Sequence, residues 1–577
     1  MTRVGGASPR GDRAGAAEAG LAAIGAEYWD CYLAFHPIGA TAIGERRFDD
    51  RLDDRSAPAI EAQLRRLADL GDRAAQIEVV SLGDAERITR SALLDQLGRD
   101  SAELRAGLDE WLVDPLEGPQ IAALDMEAIQ PIATPEQGRA MVARWSAMGG
   151  WFDSIGANLR AGLATGRVAV RAPVERSIDE IRTALAHSDD ELPLLAPARV
   201  EHPGWKKADL DNFRMGLRKA VRDVIRPAMA RYLEVLESDI LPRARSDDRP
   251  GIMCLPGGEA AYERLIEVHT SLPLGADEIH RTGLEEVARI DTELVALGAR
   301  LLGEPDLKRL LQRLRSDPSL YFGTRDEVFA KAETALGTAR AAIPGWFGIL
   351  PRSDCVVVPI AEHEEKHSTI AYYRQPAVDG SRPGQYYINT SQPETRPRYE
   401  AEALAYHESI PGHHLQIAIA QELTDLPDFR RHLGPTAFFE GWGLYSERLA
   451  DEMGLYSGDL DRIGVLSFDA WRACRLVVDT GIHALGWTRR QAIDFMLEHT
   501  ALAENNVTNE VDRYIVWPGQ ALAYKIGQLE LLRLRDEAQR ELGAAFDIRT
   551  FHDSVLGNGA LGLEPLGQIV AGRAAPA

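Results

Sequence analysis

The sequence predicts a mainly α-helical fold with one small β-sheet, placed just ahead of a His–Glu motif. Three observations carry that prediction. Apolar residues recur three and four apart, with charges between them, over most of the 577 residues. Strand-forming runs are sparse, and the best of them fall between residues 355 and 390. Pro and Gly clusters punctuate the helical stretches, as at Leu192–Gly204 and Leu241–Gly258.

The elements follow in order. Residues 1–15 mix Gly, Arg and Asp and predict a disordered N-terminus without the apolar core of a secretory signal. Helices are expected over Ser56–Leu70, Asp84–Val113, Pro135–Thr165, Asp209–Leu241 and Ala276–Leu302. Strands are expected at Cys355–Pro359, Ala371–Tyr373 and Gln385–Thr390, with a turn-rich piece at Gln375–Gly384. No repeat or long linker divides the chain. A soft boundary near residue 250 separates an N-terminal helical region, 16–250, from a catalytic region, 251–577, that holds the sheet and the zinc-site helices.

Composition narrows the function. A net charge of −23 and a pI near 5.1 argue against nucleic acid and against anionic membranes as partners. No window of eighteen apolar residues occurs, so no membrane span is expected. Cys31, Cys254, Cys355 and Cys474 form no CxxC pair and read as free thiols in a reducing compartment. A cytoplasmic location is the expectation.

The informative stretch is His407-Glu408-Ser409-Ile410-Pro411-Gly412-His413-His414. Imidazoles beside a carboxylate that can take a proton from water are the raw material of a zinc hydrolase. The spacing departs from the one-helix form, His-Glu-x-x-His. On an unbroken helix His407 and His413 would lie about 120° apart, and His407 and His414 about 10.5 Å apart along the axis. Zinc–nitrogen bonds of about 2.0–2.1 Å require the two nitrogens within roughly 4 Å. Neither pair fits. Pro411 removes a backbone donor and Gly412 loosens the chain, so a break is expected there. We take His413 as the second ligand, with His414 as the alternative. Glu440 is the third candidate, because it is the only charge in the apolar run Thr436–Tyr445. Such a carboxylate is costly unless it is paired or binds a metal.

The chain resembles the bacterial DUF885 family, which carries a motif like His-Glu-x-x-Pro-Gly-His-His. The resemblance extends over Tyr28–Asp30 through Pro37, Asp277–Leu284, Asp379–Gly384, Tyr406–Gln416, Phe439–Tyr445, Asp479–His483 and Pro518–Lys525. That family is grouped with gluzincin-like metallopeptidases. The chain also looks like a distant relative of the helical zinc carboxypeptidases and peptidyl-dipeptidases. This implies a helical fold with a deep central channel, a third-ligand Glu at position 440, and a downstream Arg-Tyr pair, here Arg513-Tyr514. It also implies an edge strand, Tyr386–Thr390, that pairs with extended substrate.

The expected protein is therefore a metallohydrolase with one Zn²⁺ per chain, held by His407, His413 and Glu440. Glu408 acts as general base on the activated water. Tyr514 stabilises the oxyanion, with His483 or His414 in its stead. Tyr387, Asn389, Arg513 and His414 are the substrate-binding candidates. The expected substrate is a short peptide. A small metabolite amide is the alternative, and a binding scaffold with a relic site is the second. Exo or endo cleavage and oligomeric state stay open.

Overall fold

The computed structural model describes residues 9–574 apart from 363–364, 366–368, 378–379 and 381. The expected disordered start divides accordingly. Residues 1–8 lie outside the described residues, and from Pro9 a helix runs to Phe35. The helical expectations hold along the chain, at Ala57–Ala75, Asp84–Ala106, Pro135–Ala164 and Ala276–Leu302. The second of these stops short of Val113 because Gly107 takes φ +67° and turns the chain out. The third starts where Thr134 and Gln137 form a reciprocal capping box ahead of Pro135. The stretch from Lys207 to Ile240 is helical with two wider π turns, Val221–Ile225 and Val235–Ile240.

Residues 355–388 supply three strands, β1 (Cys355–Pro359), β2 (Ala371–Arg374) and β3 (Gly384–Ile388). Their order is β1-β3-β2. β3 pairs in parallel with β1, Val357 opposite Tyr386, and antiparallel with β2, Tyr372 opposite Tyr387. The strand expected to lie at the edge is thus the central one, and both of its hydrogen-bonding rows are taken. The open edges belong to β1 and β2.

The largest core cluster joins residues 21–104 to residues 322–570. A second gathers residues 113–240. The second cluster ends before the expected boundary near 250, while the first hundred residues pack with residues 322–570. Two helix pairs frame the site: Ala276–Leu302 against Asp459–His483, and Thr436–Glu452 against Leu522–Leu542. The last pair meets glycine to glycine. A Cβ on Gly441 would lie 2.5 Å from the Gly527 Cα, so neither position has room for one. Cys31, Cys355 and Cys474 are buried, Cys254 is half-buried, and all four are free. Among the described residues no helix is long and apolar enough to cross a membrane.

Candidate metal centre

The expected break occurs. One helix ends at Glu408 and the next begins at His413. Between them Ser409 (φ −115°, ψ −108°) and Gly412 (φ −80°, ψ −129°) leave helical geometry. The connection folds back on the first helix so tightly that a Cβ at Gly412 would lie 2.0 Å from the His407 carbonyl oxygen. Trp442 clamps it by donating its indole N–H to the Pro411 carbonyl at 2.9 Å. The result sets the His407 and His413 rings nearly perpendicular, with centroids 4.7 Å apart.

Glu440 completes the cluster from the helix Thr436–Glu452. Its Oε2 lies 3.5 Å from His407 Nε2 and 3.6 Å from His413 Nε2. All three donor atoms fall within 4.8 Å of one another. Ligands at about 2.05 Å around a tetrahedral zinc stand about 3.3 Å apart, so the set fits such an ion with little movement. The same helix supports the cluster twice more. Gly443 makes room, since a Cβ there would meet the His407 ring at 2.6 Å. Glu447, fully buried, accepts from His407 Nδ1 at 2.8 Å and turns Nε2 toward Glu440. Positions 440, 443 and 447 share one helix face. Burial disfavours charge on His407, but its contacts with Glu440 and Glu447 outweigh burial and lift its pKa to about 9. Burial likewise opposes charge on Glu440, and the two imidazoles overcome it, holding its carboxyl well below the usual range.

The cluster sits in the wall of a cavity of about 930 Å³, within the size range of small-ligand sites. Glu408 is in the same wall, beside His407, on which its charge acts. β2 and its approach, Thr369–Tyr373, line the cavity too, so the edge strand next to the His–Glu cluster is β2.

The other expected residues are distributed as follows. His414 turns away: its Nδ1 meets the Tyr373 hydroxyl at 2.9 Å and its Nε2 the Ser353 carbonyl at 3.1 Å. Burial lowers its pKa to about 4, so it is neutral with both nitrogens engaged. His413, and not His414, stands with His407 and Glu440 in the cluster. Tyr387 stacks on Tyr372 with centroids 4.7 Å apart, outside the cavity wall. Asn389 borders the cavity, but its amide is spent on the Glu365 and Thr369 carbonyls and on Ser391.

Tyr514 does not reach the cavity. Its hydroxyl accepts from Arg475 Nε at 2.9 Å and Trp471 Nε1 at 3.1 Å and donates to Glu510 at 2.7 Å, which leaves nothing for an oxyanion. His483 is equally committed, to the Ile252 N–H and the Tyr514 carbonyl, and burial drives its pKa down to about 3. The neighbouring Asp479 accepts from the Tyr262 hydroxyl and the Gly519 N–H. These contacts tie the Asp479–His483 and Pro518–Lys525 segments together as structure. Arg513 does line the cavity, held by Glu510 and Gln520.

Four residues were missed. Glu447 was readable as a second buried acid seven positions after Glu440, on the same face. Tyr524 lines the cavity close enough to Glu440 for that charge to act on its hydroxyl. It lies inside the Pro518–Lys525 segment that carries the family resemblance. Arg475, with Arg472 one turn before it, stands in the wall from an almost wholly buried helix.

The chain belongs to the family described as "Bacterial protein of unknown function (DUF885)", whose profile matches residues 37–570. A solved structure described as the putative lipoprotein from Colwellia psychrerythraea is 27% identical, with a TM-score of 0.89 over 97% of this chain and 99% of that one. A second, described as a putative lipoprotein of unknown function from Shewanella oneidensis, is 18% identical. Its TM-score is 0.75 over 96% of this chain and 99% of its own, a likeness of fold. No curated protein matches the chain.

Proposed function

We propose that this protein is a zinc-dependent hydrolase of amide bonds in short peptides. The observation that carries the reading is the convergence of two imidazoles and a carboxylate, with Glu408 beside them, in one wall of a large cavity. His407, His413 and Glu440 would hold one Zn²⁺. Bound there, the ion supplies the Lewis acidity that lets water act as a nucleophile near neutral pH. Glu408 is not needed as a ligand. Its carboxylate takes the proton of the attacking water and returns it to the leaving amine. Tyr524 donates a hydrogen bond from its hydroxyl to the carbonyl oxygen as negative charge develops there. Its place in the cavity wall near Glu440, and the full engagement of the Tyr514 hydroxyl, support that assignment. β2 offers backbone groups to an extended peptide. The proposed compartment is the cytoplasm. Fractionation of cells making the native protein tests that, and recovery with membranes would overturn it.

The test of the reaction is metal content and turnover together. Wild type carries about one zinc per chain, and His407→Ala and Glu440→Ala lose it. Glu408→Gln keeps the zinc and loses about 10²–10⁴-fold in turnover on a mixed short-peptide library. Wild-type zinc in both ligand variants refutes the centre. Near-normal turnover in Glu408→Gln refutes the base.

A further inference from the structure

We propose, building on the hydrolase reading, that the cavity recognises a carboxylate on its substrate through Arg475, with Arg472 and Arg513 beside it. Arg475 is 2% exposed and stands in the cavity wall. Its Nε donates to Tyr514 and its Nη2 to Glu510 at 3.1 Å. Its Nη1, fully buried, has no acceptor among the described residues. The same holds for Nε of Arg472 and Nε of Arg513. Arg472 makes no close ion pair: its Nη2 lies 3.8 Å from Glu447 Oε1, the oxygen that His407 Nδ1 already meets.

A buried guanidinium N–H without an acceptor is costly, and three in one wall need an account. The local charges do not supply it, because Arg475 and Arg513 share the single carboxylate of Glu510. Aromatic faces hold these cations instead. Arg472 lies 4.5 Å from the Phe468 and Trp471 ring centres, and Arg475 lies 4.6 Å from Trp471 and 4.2 Å from Tyr524. A ring face steadies a guanidinium without using its in-plane N–H donors. The donors stay available for an anion, and a planar carboxylate matches them best.

The position relative to the chemistry follows from Tyr524. Arg475 packs on its ring, and Tyr524 lines the same cavity as Glu440, His407 and His413. One residue therefore joins the anion subsite to the metal cluster. A substrate that places its scissile carbonyl at the cluster would carry its carboxylate close by. Two sources offer that chemistry: a free peptide C-terminus, or an Asp or Glu side chain next to the cut bond.

The test compares three tripeptide pools on the wild-type zinc protein: free acids, neutral C-terminal amides, and C-terminal amides holding one Asp or Glu. Calorimetry reads binding and mass spectrometry reads cleavage. Free acids are expected to bind at least about 10-fold tighter than neutral amides, the effect of one charge-assisted contact. If the acidic amides match them, the carboxylate comes from a side chain. If they do not, it comes from the C-terminus. Arg475→Met is expected to erase the preference while zinc content stays at the wild-type level. Should that variant misfold, Arg513→Gln reduces the preference in its place, and the comparison on wild type needs no variant. Equal binding of acids and neutral amides, or no binding of any pool, overturns the subsite. Neutral amides cut as fast as acids would leave the hydrolase standing and remove the subsite. Selective binding of acids without cleavage would do the reverse.

Discussion

Gly443→Ala separates metal binding from folding. A methyl group at position 443 would lie 2.6 Å from His407 Cε1 and 2.8 Å from Nε2, where ordinary contact begins near 3.4 Å. The imidazole must give way by about 0.8 Å, several times the tolerance of about 0.2 Å on a metal–ligand distance. It cannot tilt freely, because Glu447 holds its other nitrogen at 2.8 Å. Zinc affinity should fall by about 10–100-fold, the range set by disturbing a ligand's support. The helix itself gains about 0.5–1 kcal/mol from losing a mid-helix glycine, which offsets part of the strain on the ring. Two controls frame the result. Gly337 lies mid-helix with nothing within 4 Å of its would-be Cβ, so Gly337→Ala should raise stability by that amount and leave zinc alone. Gly441→Ala would press on the Gly527 backbone and should cost about 1–3 kcal/mol of stability. Chelator competition gives the zinc affinity, and thermal unfolding in EDTA gives the stability of the metal-free protein. Wild-type zinc affinity in a folded Gly443→Ala protein would refute the geometry of the cluster.

Glu447→Gln keeps the volume but removes the charge behind His407. Zinc affinity by chelator competition should drop about 10–100-fold, and an unchanged value would deny Glu447 its supporting part. Tyr524→Phe should lower kcat by about 10²–10³-fold with little change in Tm. Tyr514→Phe should instead cost about 1–3 kcal/mol of stability, because the Arg475 Nε and Trp471 Nε1 donors lose their acceptor. The reverse pattern would restore Tyr514 to the chemistry. Asp479 gives a pH signature. Burial lifts its carboxyl to about 7, against the lowering effect of its bonds from Tyr262 and Gly519. The folded state thus holds the proton more tightly than the unfolded chain, whose Asp titrates near 3.9. Its contribution is fully present below about pH 4 and is lost as pH rises to about 7, at no more than about 1.4 kcal/mol per unit. Asp479→Asn should remove that slope, so its Tm relative to wild type rises from pH 5 to pH 8. Parallel Tm curves across that range would rule the effect out.

The fold was legible where local physics decides it. Apolar spacing placed the long helices, and the β-branched and aromatic runs placed all three strands. Pairing was not legible. β3 is central because β2, four residues long, folds back onto one side of it while β1 takes the other. Nothing in the composition of Gly384–Ile388 distinguishes a central strand of such a sheet from an edge. The packing units also escaped the sequence, since residues 21–104 reach their core by contact with residues more than two hundred positions away.

The site was legible to the extent that it is local. Pro411 and Gly412 announced a break, and a break is what lets imidazoles six apart converge. Glu440 announced itself as an isolated charge. What failed was the transfer of a two-residue pair, Arg513-Tyr514, onto one wall. Adjacent residues on a helix point about 100° apart, and both belong to the helix Glu504–Val516. Once Arg513 lines the cavity, Tyr514 is directed into the packing between helices, where it meets Arg475 and Trp471. A tyrosine hydroxyl in the cavity wall has to come from another element. The next helix, Leu522–Leu542, provides it: Gly527 lets that helix press against Gly441, and Tyr524, one turn earlier, stands in the cavity wall that Glu440 also lines. The tyrosine that enters the cavity wall is set by a glycine contact between two helices, and that contact exists only once the chain has folded.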